Sequence, residues 1–138
     1  MSEENRPLPL RGLRHLALKV TDIGKSRRFY EGTLGMRIVW EPDPENLYLS
    51  FGSDNLALHQ IPPGETPAEE KGQRLDHFGF IAENESVVDA MAQKMETAGV
   101  PIVKPVRRHR DGSYSFYMAD PDGNVIQVLY EPHISPLP

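Results

Sequence analysis

The chain has 138 residues, enough for one domain with a real core or for two very small half-domains. Its apolar fraction of 38% and charged fraction of 25% are ordinary for a globular protein, and a net charge of −5 argues against nucleic acid or an anionic membrane as main partner. The absence of cysteine excludes disulfides, thiolate metal sites and cysteine nucleophiles, and with no apolar run near the roughly 20 residues of a membrane span and no signal-peptide core in MSEENRPLPL it predicts a cytoplasmic protein.

Residues 1–10 read as a flexible lead-in. Leu13–Val20 alternates and predicts a strand with Leu16, Leu18 and Val20 on one face and His15, Ala17 and Lys19 on the other. Thr21 and Asp22 are helix-cap residues. The stretch GKSRRFYEGTLG then predicts a helix with Phe29, Tyr30 and Leu34 on its buried stripe, stopped at Gly35. Met36–Trp40, Leu47–Phe51 and Leu56–Ile61 read as strands. PPGETPAEEKGQR, residues 62–74, has no periodicity and is the expected linker.

The second half follows the same order. Leu75–Ala82 predicts a strand with Phe78 and Phe80 on one face and His77 and Gly79 on the other. Ser86 and Asp89 give an S-x-x-D capping signal before a helix carrying Val88, Met91, Ala92 and Met95, closed by Gly99. Pro101–Val106 reads as a strand and Arg107–Gly112 as a basic loop, either simply solvated or an anion clamp at a cleft mouth. Ser113–Met118 is a further strand. DPDGN is a tight turn that feeds the last one, VIQVLY, ahead of the tail 132–138.

LRHLALKV matches LDHFGFIA, and the strands that follow correspond as well, so the chain is an internal repeat. One βαβββ half cannot bury its own sheet face. Two halves predict an α+β fold: modules 13–61 and 75–131 forming a curved mixed sheet around a cleft, with the helices outside. Each half turns polar groups away from its helix: His15 and His59 in the first, His77 and Gln127 in the second. Gln127 stands among Val125, Ile126, Val128 and Leu129, where a buried amide needs a partner. Imidazoles are common ligands for Zn, Fe, Ni, Mn and Co, so the four groups could surround one divalent ion. Taken singly, each is as well explained as a satisfied core or surface histidine. His109 in its charged loop reads as solvated, His133 as part of the tail, and Trp40, Tyr48, Tyr114 and Tyr117 as packing or cleft lining.

H-L-A-L-K-V-x-D, F-Y-x-x-x-L-G-M and D-P-D-G-N-V-I-x-V together resemble the vicinal oxygen chelate superfamily, which includes glyoxalase I, extradiol dioxygenases, fosfomycin-resistance enzymes and bleomycin-resistance proteins. The resemblance covers about Leu13 to Glu131. It implies paired βαβββ modules, a small-molecule substrate with vicinal oxygens, a homodimer, and one divalent metal ion (Fe, Zn, Ni, Mn or Co) on His15, His59, His77 and Gln127. By the same resemblance His59, four residues past Asn55, takes the place of a glutamate, and Gln127, three past Asn124, takes the place of another. Both departures remove a carboxylate. Glutamine cannot act as a proton-transfer base, which leaves His59 as the candidate catalytic base. The resemblance thus implies a glyoxalase-like lyase or isomerase or a ring-cleaving dioxygenase. Its alternative is a metal-free small-molecule-binding protein like the drug-sequestering members.

Overall fold

Two βαβββ modules fold as two separate four-stranded mixed sheets in the computed structural model, which describes residues 10–65 and 75–136. The first module runs β1 (His15–Val20), α1 (Ile23–Arg27) with a π-helical continuation (Arg28–Thr33), β2 (Arg37–Asp43), β3 (Asn46–Ser50) and β4 (Asn55–Gln60). The second runs β5 (Phe78–Ile81), α2 (Glu85–Thr97), β6 (Ile102–Arg108), β7 (Tyr114–Ala119) and β8 (Val125–Tyr130). The strand orders are β1-β4-β3-β2 and β5-β8-β7-β6, so each first strand lies parallel to its own last strand while the other pairs are antiparallel. The predicted α+β repeat of two βαβββ modules is therefore present, its mixed sheet built as two open four-stranded halves. Most of the linker 62–74 and of the lead-in 1–10 lies outside the described residues.

Helix faces follow the apolar spacing. Leu18 and Val20 of β1, Leu47 and Leu49 of β3, and Leu56 and Leu58 of β4 are buried with Phe29, Tyr30 and Leu34. In the second module Val88 and Met95 of α2 close over Phe116, Met118, Ile126 and Val128. Burying each such side chain contributes roughly 1.5–3 kcal/mol, which is what fixes the pleat of every strand. The first helix departs from regular α geometry because Leu34 N–H donates to the Phe29 carbonyl (2.8 Å), five residues back, and Thr33 Oγ1 to the Arg28 carbonyl. That wider turn brings Phe29 and Leu34 over one another on the buried side. The cap of α2 is Asn84, whose side chain accepts from Val87 N–H (3.0 Å), and not Ser86; the Ser86 hydroxyl donates to the same Asn84 oxygen, so the S-x-x-D signal sits two residues inside the true start.

The edge strands β2 and β6 carry Pro42 and Pro105 and register shifts in corresponding places. A proline removes a ladder donor, which an edge strand tolerates. None of the described helices is long and apolar enough to cross a membrane.

The modules are joined by the turn after β7. Asp120, only 4% exposed, accepts at Oδ1 from the N–H groups of Asp122 (3.0 Å) and Asn124 (2.8 Å), and at Oδ2 from the Asn124 amide (2.9 Å). The Tyr30 hydroxyl of the first module donates to the same Oδ2 at 2.6 Å, and Tyr30 is fully buried. Gly123, with φ of 84°, supplies the left-handed residue that lets the turn close around Asp120. Thr21 adds a second tie, donating through its N–H and its hydroxyl to Asp122 Oδ1.

Burial, with the Asp120 carboxylate beside it, pushes the Tyr30 hydroxyl well above the ordinary tyrosine range. A raised folded-state pKa means stability that is complete below about pH 10, the unfolded value, and lost as pH rises above it. Tyr30→Phe should destabilise the protein by about 1.5–3 kcal/mol in urea unfolding at pH 7, the usual cost of removing a hydrogen bond to a charged group. The parent should also lose stability more steeply than Tyr30→Phe above pH 10, by up to about 1.4 kcal/mol per pH unit. Parallel alkaline curves would refute the buried phenol.

Candidate functional site

The faces turned away from the helices carry the polar residues. In the first sheet Asn55, Ala57 and His59 of β4 share that face with His15, Ala17 and Lys19 of β1, because β1 pairs β4 with His15 beside Asn55 and Lys19 beside His59. In the second sheet Phe78 pairs Ile126 and Gly79 pairs Gln127, so His77 stands at the level of Val125, two residues from Gln127.

This register corrects the expected equivalence of His59 and Gln127. Counting from the histidine of each first strand, the residue that matches Gln127 is Ala57, and His59 matches Leu129. His59 lies four residues along the sheet from His15, about 13 Å at ordinary strand rise. Asn55 stands beside His15, whereas the residue beside His77 is Val125, one past Asn124, so counting four on from Asn55 and three on from Asn124 misaligns the two halves by two residues, one pleat. The geometry thus separates His59 from His15 within the chain. His77 and Gln127 are neighbours on one face.

His15 and His77 are brought together from the two modules. Both line a cavity of about 300 Å³ at the module junction, with Asn55, Gly79 and the apolar side chains of Leu16, Met36, Leu56, Phe78 and Phe80. Their Nδ1 atoms are occupied: His15 Nδ1 donates to Asn55 Oδ1 at 2.8 Å, and His77 Nδ1 to Asp76 Oδ2 at 2.6 Å. A bonded Nδ1–H fixes the tautomer and leaves Nε2 with its lone pair free, as in histidines that ligate metals. His77 also stands edge-on to Tyr117, 5.3 Å between centroids, and Lys104 lies over the Tyr117 ring at 5.2 Å.

Gln127 finds the partner its apolar surroundings require in Ser115, which is 1% exposed: Gln127 Nε2 donates to Ser115 Oγ at 3.0 Å. With the amide nitrogen spent, Oε1 is the atom left for the open face. Ser115 Oγ is also 2.8 Å from His109 Nε2, so His109 is a half-buried partner in this polar chain and not the solvated loop residue its sequence context suggests. Arg108 is likewise committed: it pairs with Glu85 of α2 and lies over the Tyr114 ring at 5.2 Å, while Tyr114 OH donates to Asp89 at 2.6 Å. That leaves Arg108 a strut between β6 and α2, and takes it out of any anion clamp. His133 donates to Glu131 at 2.7 Å.

Sequence reasoning missed Asn55, Asp76 and Ser115, the residues that orient the candidate ligands. Ser115 could have been found by counting back from the DPDGN turn, since Tyr117 pairs Gln127 and Ser115 lies on the same face. Among the described residues, no three His, Cys, Asp or Glu side chains are grouped so as to hold a metal ion. A cation here would therefore rest on a donor set that includes the neutral Gln127 amide. Two imidazoles with free Nε2 and one amide oxygen suit a borderline divalent ion in kind, without any charge to tighten it.

The fold and this face define a protein of the vicinal oxygen chelate class. The profile of the Glyoxalase/Bleomycin resistance protein/Dioxygenase superfamily matches residues 12–128, and the chain belongs to that superfamily. It is 30% identical over 135 residues to the uncharacterized protein PA2024 of Pseudomonas aeruginosa, covering 90% of this chain and 91% of that one. It is 30% identical over 127 residues to the glutathione transferase FosA of Serratia marcescens, covering 86% and 80%. Among solved structures, lactoylglutathione lyase from Agrobacterium tumefaciens superposes with a TM-score of 0.72 at 25% identity, covering 89% of this chain and 96% of that one.

Gly79 gives Gln127 its space. A Cβ there would stand 3.0 Å from Leu129 Cδ2 and 3.1 Å from the Gln127 carbonyl oxygen. Gly79→Val should cost about 1–3 kcal/mol in chemical denaturation through overpacking. An unchanged unfolding midpoint would mean that β5 and β8 are further apart than described.

Proposed function

We propose that the protein is a metal-dependent small-molecule enzyme of this superfamily, with a divalent ion held by His15, His77 and Gln127 and a substrate that offers two adjacent oxygens. The observation that supports this is that all three groups are held by hydrogen bonds at one polar atom. Each has its other polar atom tied back, to Asn55, Asp76 and Ser115, so that Nε2, Nε2 and Oε1 are the atoms left to bind. His59 drops out of this set on register and is replaced at the matching position by Ala57.

A bound divalent ion would supply Lewis-acid stabilisation of negative charge on the substrate oxygens. The chain's own residues supply position and exclusion of water. Asn55 and Asp76 hold the imidazoles in one tautomer. Phe78, Phe80, Leu16 and Leu56 give the hollow apolar walls that strengthen electrostatic contacts inside it. Gln127 orients and does not exchange protons, because an amide cannot accept one near neutral pH. With no carboxylate among the three, the charge balance favours an anionic substrate that brings its own. Glyoxalase-like and dioxygenase-like chemistry both fit a site of this kind.

A second reading has its own observation. The junction hollow is mostly apolar, and an adjoining one of about 480 Å³ is lined by Leu34, Phe51, Ile81, Val87 and Met91. Such walls suit capture of an apolar small molecule without a metal.

Calorimetric titration of protein without a histidine tag with Ni²⁺, Zn²⁺ and Mn²⁺ separates the two. The metal reading expects one ion per chain, at least tenfold weaker binding in His77→Ala, and binding weakened about tenfold in Asp76→Ala. It also expects tighter binding in Gln127→Glu, and an anionic ligand analogue that binds the loaded protein more tightly than its neutral isostere. Absence of binding in both the parent and Gln127→Glu would leave the metal-free reading.

A further inference from the structure

His59 lies on the same open face as His15 but is displaced along it from the metal-type site, yet it is as carefully held as His15 and His77. Its Nδ1 donates to Asn46 Oδ1 at 2.6 Å, and the Asn46 amide nitrogen donates to both oxygens of Asp43, at 2.9 and 3.0 Å. The carboxylate–amide–imidazole chain fixes the ring and leaves Nε2 as an acceptor. Asp43 accepts from Glu45 N–H as well (2.8 Å), so its charge is engaged within its own turn. Those hydrogen bonds, from Asn46 first, hold the Asp43 carboxyl below its usual range. Nothing in the His15–His77 hollow uses this arrangement.

Beside His59 runs a row of rings. Tyr48 meets the imidazole edge-on at 6.0 Å between centroids, and Trp40 lies against Tyr48 at 4.8 Å, tilted by 33°. Trp40 is 58% exposed although it is the largest apolar side chain in the protein. In the second sheet the ring in the matching place, Tyr117, already has Lys104 over it. Among the described residues no cation covers Tyr48 or Trp40. Lys19 lies on this face, is exposed and pairs directly with His59 across β1 and β4.

We propose that Lys19, Trp40, Tyr48 and His59 form a second site, distinct from the His15–His77 hollow, for a planar hydroxyaromatic anion. The rings stack on the ligand, Lys19 pairs with its charge, and His59 Nε2 accepts the hydrogen bond of its hydroxyl. Stacking on exposed aromatics tolerates many planar ligands. The hydrogen bond to an oriented imidazole sets the selectivity, because a ligand without the O–H donor leaves Nε2 unmatched. Asn46 and Asp43 are positioning residues that act through His59. The site needs no metal, so it stands or falls separately from the metal reading.

The sequence contains one tryptophan, and its indole N–H gives a single cross-peak in a ¹H–¹⁵N spectrum that reports this site. EDTA-treated protein is titrated with 3-hydroxybenzoate and with 3-methoxybenzoate. The expected result is a saturable shift of the Trp40 peak, with the hydroxyl compound bound about fivefold more tightly in the parent. That preference should shrink below about twofold in His59→Phe, while Lys19→Met weakens both ligands alike. The comparison within the parent requires no variant to fold. Three results would overturn the proposal: no saturable shift, a hydroxyl preference that survives in His59→Phe, or a Trp40 peak that moves with protein concentration and not with ligand. The last would mean that a second copy of the chain covers the row.

Discussion

The bond from the Tyr30 hydroxyl to Asp120 is the constraint on which the site depends. Asp120 organises the turn that sets the register of β7 and β8, and Tyr30 belongs to the helical segment of the other module. One carboxylate therefore fixes both the local hairpin and the placement of one module against its neighbour. A buried carboxylate is costly unless its lone pairs are matched, and here four donors match them. The cavity shared by His15 and His77 exists because the modules are held in this relation.

The repeat is symmetric in backbone and asymmetric in chemistry. Equivalent positions on the open faces are Ala57 and Gln127 beside the rings Tyr48 and Tyr117. The second module spends its ring on His77 and Lys104 and ties the Gln127 amide nitrogen to Ser115. The first keeps its ring and Trp40 open and holds a histidine one pleat further along. A duplicated fold can thus carry two different kinds of site, since the core needs only the helix-facing half of each strand and leaves the other half free to vary.

Much of this was legible in the chain. Alternation in LRHLALKV and VIQVLY put Leu18, Val20, Ile126 and Val128 on the buried side because burial enforces a period of two. The spacing of Val88 and Met95 gave the buried stripe of α2. The cap of α2, the π-helical turn and the pairing of His59 were not legible. Each depends on a choice between nearly equivalent local options: Asn84 or Ser86 as cap, a fourth or fifth residue as acceptor, one pleat or the next. Tertiary packing makes that choice, and short-range sequence signals differ too little to make it first.

The sequence by itself determined the duplicated α+β architecture, the turn chemistry of DPDGN and the residues able to bind a ligand, because side-chain type and periodicity carry that information directly. Which of those residues face one another was decided by the tertiary structure. Strand register is a long-range pairing, and a shift of two residues keeps every side chain on its face while moving it by a whole pleat. Hydrophobic pattern cannot distinguish such states, and only the two paired sheets, with their turns and the Tyr30–Asp120 bond in place, separate His59 from His15 and set Gln127 against Ser115.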